Sequence, residues 1–199
     1  ISMSEDLKEL FGQYGGVMKT SELREAGIYY KRIQNLLEQD KIEQIRRGYY
    51  QYIQESSFSD IPILKALFPD GVLCMESALD YYGYTDKTPS AWHLAVDSKS
   101  GRTRFYIDYP IVKPHFIRTN RYNLGIAEVE IDGTIMQIYD RERTICDVLF
   151  HRNKLDAEIF NTAIHRYVSE SQKNEARLMK YAKLLRVEKK IKEVLGIWL

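Results

Sequence analysis

Between Ser4 and Ile53 the apolar residues change their spacing several times, and each change marks an element. Leu7, Leu10 and Phe11 recur at helical spacing, which predicts a first helix over Ser4 to Tyr14. Thr20 stands where a cap is expected for a short helix through SELREA, with Glu22 in its first turn and Gly27 as a left-handed stop. A few residues later Ile33, Leu36 and Leu37 form the inward stripe of another helix. Helical geometry then turns Lys31, Gln34 and Asn35 outward, with Arg32 on the flank. KIEQI and YYQYI are two β-prone runs around Arg46-Arg47-Gly48, predicting a small hairpin with a basic tip. Helix, tight turn, helix and basic hairpin together make a winged helix-turn-helix pattern.

The segment Gln54 to Asp60 is polar and serine-rich and predicts a joint near residue 57, dividing the chain into domains 3–57 and 58–199. In the second, DIPILKALF and MESALDYYGY predict two short helices, the latter closed by Gly83. WHLAV, RFYIDY, HFIRT, IAEVEI and TIMQIY are β-prone, and Asp132-Gly133 between the last two is a strong hairpin signal. Helical spacing then resumes through Ile145, Val148 and Leu149, through Ile159 to Tyr167, and through Leu178 to Leu185. The expected class is α+β: a winged helix-turn-helix domain, then an α+β domain with a mostly antiparallel sheet and three or four C-terminal helices.

Charge narrows the partners. The 199 residues carry a net +1, and residues 1–57 hold 8 basic against 9 acidic side chains, so any basic footprint on the first domain is local. Residues 150–199 carry 11 against 6, with Lys173, Arg177 and Lys180 sharing a helix face that ordinary solvation explains. Cys74 and Cys146 stand far apart in apolar surroundings, as buried thiols of a reducing compartment do. With no membrane span in the sequence, a cytoplasmic location is expected. The four histidines lack zinc spacing, and no phosphate loop, dinucleotide fingerprint or nucleophile elbow occurs. No metal, no cofactor and no catalytic residue is expected.

Two places carry candidate chemistry. The outward residues of the second short helix suit a major groove, with Lys31, Gln34 and Asn35 near base edges and Arg46 and Arg47 meeting phosphates or an adjacent minor groove. A winged helix used as a protein-docking module is the competing reading. The other place is YDRERTICDVLFHRNK, where Asp140 caps a helix whose outer face is expected to carry Arg143, Asp147 and Lys154. Together with Arg102, Arg104 and His115 these suit a phosphate or partner site. An exposed Arg143–Asp147 pair one turn apart, contributing only a few tenths of a kcal/mol, accounts for the same residues.

GGVMKTSELREAGI, IRRGYY, ESALDYYGYTD, YDRERTICDVLFHRNK and NEARLMKYAKLLRV resemble the AbiEi-type antitoxins of type IV toxin–antitoxin systems, abortive-infection modules against phage. The resemblance spans nearly the whole chain. It implies an N-terminal winged helix that binds inverted repeats in double-stranded promoter DNA of its own operon and represses it, leaving open a dimer on the DNA. It also implies a C-terminal domain that counters a nucleotidyltransferase-like toxin without a stable complex. Carried onto this sequence, DNA contacts fall on Lys31, Arg32, Gln34, Asn35, Arg46, Arg47 and Tyr49. The antitoxic surface falls on Tyr139, Asp140, Arg141, Glu142, Arg143, Asp147, Arg152, Asn153 and Lys154. Two rivals stand beside this: an enzyme in which Asp140, Glu142 and Asp147 hold a divalent ion and the second domain covalently modifies the toxin or its target, and a plain regulator whose second domain senses a ligand or only dimerises.

Overall fold

The structure, a computed structural model, describes residues 3–54 and 59–198. The expected joint near residue 57 lies outside the described residues. By contact the chain forms two compact units: Ile1–Pro69 with Ile107–Pro110 and Glu130–Ile135, and the remainder from Asp70 to Leu199.

The first unit runs α1 (Met3–Gln13), β1 (Val17–Lys19), α2 (Thr20–Glu25), α3 (Tyr30–Glu38), β2 (Ile42–Arg46), β3 (Tyr49–Tyr52) and α4 (Ile61–Leu67). The strands form an antiparallel sheet in the order β1-β3-β2, the winged helix-turn-helix arrangement the sequence predicts. Its core gathers Leu7 and Phe11 of α1, Met18, Leu23, Ile28, Ile33 and Leu36, Ile42 and Tyr50. Those apolar positions are the ones whose spacing sets the three helices. One local detail differs from expectation. Thr20 opens α2 as its first helical residue, and the cap position is Lys19, whose backbone N–H donates to Glu22 Oε2 at 2.7 Å. The carboxylate at the third helical position thereby satisfies the N–H of the cap residue, while the threonine expected to cap the helix stands inside it.

After Pro69, β4 (Val72–Leu73), α5 (Met75–Tyr81), β5 (Trp92–Asp97), β6 (Val112–Ile117) and α6 (Thr119–Tyr122) precede β7 (Ile126–Ile131) and β8 (Thr134–Tyr139), all in the second unit save the hairpin end Glu130–Ile135. The five strands are ordered β6-β5-β4-β8-β7. The architecture is α+β as expected, yet the sheet is mixed: β4 runs antiparallel to β5, while β4 with β8 and β5 with β6 are parallel. The two-residue β4, antiparallel to β5 and parallel to β8, joins the parallel β5–β6 pair to the rest of the sheet. RFYIDY forms no strand; a 3-10 turn occupies Thr103–Phe105, and Arg104 binds Asp70 through both terminal nitrogens at 3.0 and 2.6 Å. Asp132 and Gly133 make the β7–β8 turn at φ 50° and 79°, the left-handed pair that such a tight hairpin requires.

Among the described residues four helices follow: α7 (Arg141–Phe150), α8 (Ala157–Val168), α9 (Glu175–Leu184) and α10 (Glu188–Leu195). The helix α7 lies at their centre, in contact with α5, α8, α9 and α10. Ile145, Cys146, Val148 and Leu149 from α7, Phe160 and Tyr167 from α8, and Leu178 and Ala182 from α9 share one apolar cluster. Both cysteines are free and buried, as their apolar surroundings predict. Among the described residues no helix is long and apolar enough to cross a membrane.

Candidate nucleic-acid interface and the Arg143 cluster

The helix α3 buries Ile33 and Leu36 and half-buries Leu37, so its opposite face is fixed by geometry. Lys31, Arg32 and Asn35 are exposed there, Gln34 is half-buried on the flank, and Glu38 brings an acid to the helix end. At the start of the helix Tyr29 and Tyr30 stand 64% and 77% exposed, although they lie four and three residues before Ile33, where helical spacing would extend the inward stripe. Their signal in the sequence was an aromatic pair directly before a polar helix face. Such rings suit apolar contact with a thymine methyl or packing along a sugar.

The wing joins β2 and β3 through Arg47 and Gly48, with a register shift between Gln44 and Arg46. Gly48 adopts φ 82°, a conformation that strongly favours glycine, and its carbonyl accepts from the Thr20 N–H at 2.9 Å. This bond ties the wing to the start of α2. Arg47 is exposed at the tip, Arg46 is half-buried in β2, and Tyr49 is half-buried with the Lys19 ammonium 5.9 Å from its ring centroid. Lys19 is thus a further cation beside the wing.

The second candidate cluster is arranged differently from its expected form. Asp140 caps α7 as predicted, its Oδ1 accepting from the Arg143 N–H at 2.8 Å and its Oδ2 from the Tyr181 hydroxyl at 2.7 Å. Arg143, however, is not on an outer face: it is 2% exposed. Its Nε donates to Asp147 Oδ1 at 3.0 Å, and its Nη1 donates to the carbonyls of Arg121 at 2.5 Å and Leu124 at 2.8 Å. The guanidinium lies 4.2 Å from the ring centroid of the fully buried Tyr139, whose hydroxyl donates to the Tyr122 carbonyl at 2.7 Å. Glu142, also 2% exposed, accepts from the Tyr167 hydroxyl at 3.1 Å and from Arg177 Nη1 at 3.5 Å. The cause is the placement of α7: helices on several sides leave it no broad solvent face.

Burial pushes the Glu142 carboxyl up, with the Tyr167 hydroxyl and Arg177 opposing. Asp147, half-buried, is pushed up to about 6 by burial, with Arg143 opposing. Arg141 stays partly accessible, its Nε 3.5 Å from Glu170 Oε2 and its guanidinium 4.9 Å from the Tyr82 ring centroid. Arg152, Asn153 and Lys154 are exposed on a 3-10 turn.

Asp140, Glu142 and Asp147 therefore do not converge: each is held by its own partners, and among the described residues no three metal-ligating side chains group together. Nor do Arg102, Arg104 and His115 join them in a shared set of bonds. Arg102 stacks 4.1 Å from the Phe116 ring, Arg104 holds Asp70, and His115 Nε2 meets His93 Nδ1 at 2.9 Å. That histidine contact had no signal in the sequence, since 22 residues separate the two.

No curated protein matches the chain. Among solved structures, the crystal structure of RV2827C protein from Mycobacterium tuberculosis is similar, with a TM-score of 0.65 over 98% of this chain and 82% of that one. At 16% identity the likeness concerns the fold. A family described as transcriptional regulator, AbiEi antitoxin, matches residues 5–53. It is over the winged helix, then, that the chain matches the AbiEi antitoxin family of transcriptional regulators, the family its motifs resemble.

Proposed function

We propose that this protein is an antitoxin and transcriptional autorepressor: the winged helix binds inverted repeats in its own promoter, and the second unit counters a nucleotidyltransferase-like toxin without a stable complex. One observation carries the DNA half. The exposed face of α3, with Lys31, Arg32 and Asn35, lies in the same small unit as a wing tipped by Arg47, and the family match falls on that unit. In a winged helix these are the elements that reach a major groove and its flanking phosphates. Gln34, Arg46 and Tyr49 complete the proposed contacts from partly covered positions.

For the antitoxic half, burial sorts the nine candidates. Arg152, Asn153, Lys154 and the accessible part of Arg141 are available to a partner, whereas Tyr139, Asp140, Glu142, Arg143 and Asp147 support them from within. We assign the second unit no reaction and the protein a cytoplasmic location. The test is fluorescence anisotropy of the full chain with a duplex from its own promoter and with a scrambled duplex of equal length. Sequence-preferring binding is expected, lost in Lys31→Ala/Asn35→Ala. Equal affinity for both duplexes removes the repressor assignment. Protection of cells that express a cognate nucleotidyltransferase-like toxin tests the antitoxic half.

A further inference from the structure

We propose that the second unit contains a binding pocket for a small organic phosphate, in which Arg118, Arg121 and Arg143 seat the phosphoryl group. The site is a half-open cleft of about 230 Å³ between the end of β6, α6 and the outer end of α7. That volume equals the liquid share of roughly seven or eight water molecules at ~30 Å³ each. It suits a phosphorylated sugar or a molecule of similar bulk, and lies below the ~300 Å³ at which drug-sized sites begin.

Charge selects the ligand. Three guanidiniums line the cleft against one carboxylate, Asp147, and that carboxylate is already bonded to Arg143 Nε. Arg118 and Arg121, exposed and half-buried respectively, have no side-chain hydrogen bond or ion pair among the described residues. On Arg143, Nε and Nη1 are used, while Nη2 has no partner among the described residues. A guanidinium fork is the donor geometry that matches phosphate oxygens pairwise.

The walls supply the rest. Phe116, Phe150 and Leu185 offer apolar surface beside the arginines, which suits a ligand with a carbon skeleton better than a bare ion. Depth argues for a terminal phosphoryl group. Arg143 is 2% exposed, so a phosphodiester inside a duplex, flanked by sugar on both sides, cannot present its oxygens to the floor of the cleft. A monoester can. Asp147 positions Arg143 and so acts on the ligand only through it.

Calorimetric titration of the full chain tests this, using ribose 5-phosphate, inorganic phosphate, ribose, and a short single strand with or without a 5′-phosphate. Saturable millimolar or tighter binding of ribose 5-phosphate is expected, with none for ribose. The double variant Arg118→Ala/Arg121→Ala should weaken it about tenfold or more. Because neither side chain bonds to the protein, the variant should melt with the parent; if it does not, Arg118→Gln alone is read in its place. Absence of saturable ribose 5-phosphate binding, or equal binding by parent and variant, overturns the proposal. Binding of the 5′-phosphorylated strand alone also overturns it, in favour of a strand-end site. The assay holds no promoter DNA, so failure here leaves the repressor assignment standing.

Discussion

Replacing Arg143 by alanine separates two physical pictures of the YDRERTICD helix by an order of magnitude in energy. An exposed Arg–Asp pair one turn apart contributes about 0.3–0.5 kcal/mol, and its loss is barely measurable. In the structure the same substitution strips one bond from Asp147 and two from the Arg121 and Leu124 carbonyls, all around a 2% exposed side chain. Removing one partner of a buried ion pair costs about 3–5 kcal/mol, because the other charge stays behind unpaired. At roughly 3–4 °C per kcal/mol for a domain of this size, the melting temperature should fall by about 10–20 °C. Arg143→Lys keeps the charge without the fork and should fall between. Gly125→Ala strikes the same contact from the other side: at φ 81° an added Cβ would stand 2.7 Å from Arg143 Cβ. Thermal unfolding followed by circular dichroism, with urea melts to give free energies, measures all three. A melting temperature for Arg143→Ala within about 2 °C of the parent refutes the buried-cluster account. Charge reversal at Arg143 consequently cannot report on antitoxic function, since it disturbs the fold first.

Other outcomes follow from the same geometry. Asp147, pushed up to about 6 against an ordinary value of 3.8, holds a proton in the folded state that the unfolded state has released. Its contribution to stability therefore declines as pH rises from about 4 to 6 and is level above, so Asp147→Asn should flatten that part of the urea-midpoint profile. Arg47→Ala should lower the salt slope of promoter binding by about 0.9 with sequence preference kept, whereas Asn35→Ala should relax one or two base positions by about 1–3 kcal/mol. A variant pair with the opposite pattern would exchange the roles of wing and helix. Reversing the charges of Arg152 and Lys154, both exposed, should abolish protection against the toxin at an unchanged melting temperature. Full protection would take the antitoxic surface away from that turn.

The winged helix was legible because its signals are local. Ile33 and Leu36 set the face of α3, Gly27 and Gly48 take the left-handed conformations that end α2 and turn the wing, and Asp132-Gly133 does the same for the β7–β8 hairpin. What escaped depends on partners distant in sequence. Val72-Leu73 is too short to register as a strand, yet it decides the sheet by pairing with β5 on one side and β8 on the other. RFYIDY has β-prone composition, but Arg104 is drawn to Asp70, 34 residues away. In α7, the sequence places the polar Arg143 outward, and it gives Glu142, three residues before Ile145, no partner that would explain an acid among apolar side chains. Their burial follows from Tyr139, Leu124, Tyr167 and Arg177, none of which the helix's own pattern can announce.

The separation of the two proposed jobs depends on where the first unit ends. Composition points to a joint near residue 57, while the contacts that define the first unit continue to Pro69. The difference is α4, whose Ile61, Ile63, Leu64 and Leu67 are buried and which packs against β1. The same unit includes a hydrogen bond from Ser59 Oγ to Asp132 Oδ2 at 2.7 Å and one from the Tyr109 hydroxyl to Asp60. Those two polar contacts are exposed, each contributing about 1 kcal/mol at most, so a fragment can lose them and still fold. Losing α4 is a larger change, because burying each of its aliphatic side chains contributes about 1.5–3 kcal/mol before the entropy of ordering the helix is subtracted. A fragment of residues 3–69 should therefore melt well above one of residues 3–57 and bind the promoter more fully. It should do so without protecting cells, and more weakly than the full chain if dimerisation through the second unit links two modules on paired repeats. Equal melting temperatures for the two fragments would show that α4 adds nothing to the winged helix. Protection by residues 3–69 alone would end the division of labour between the units.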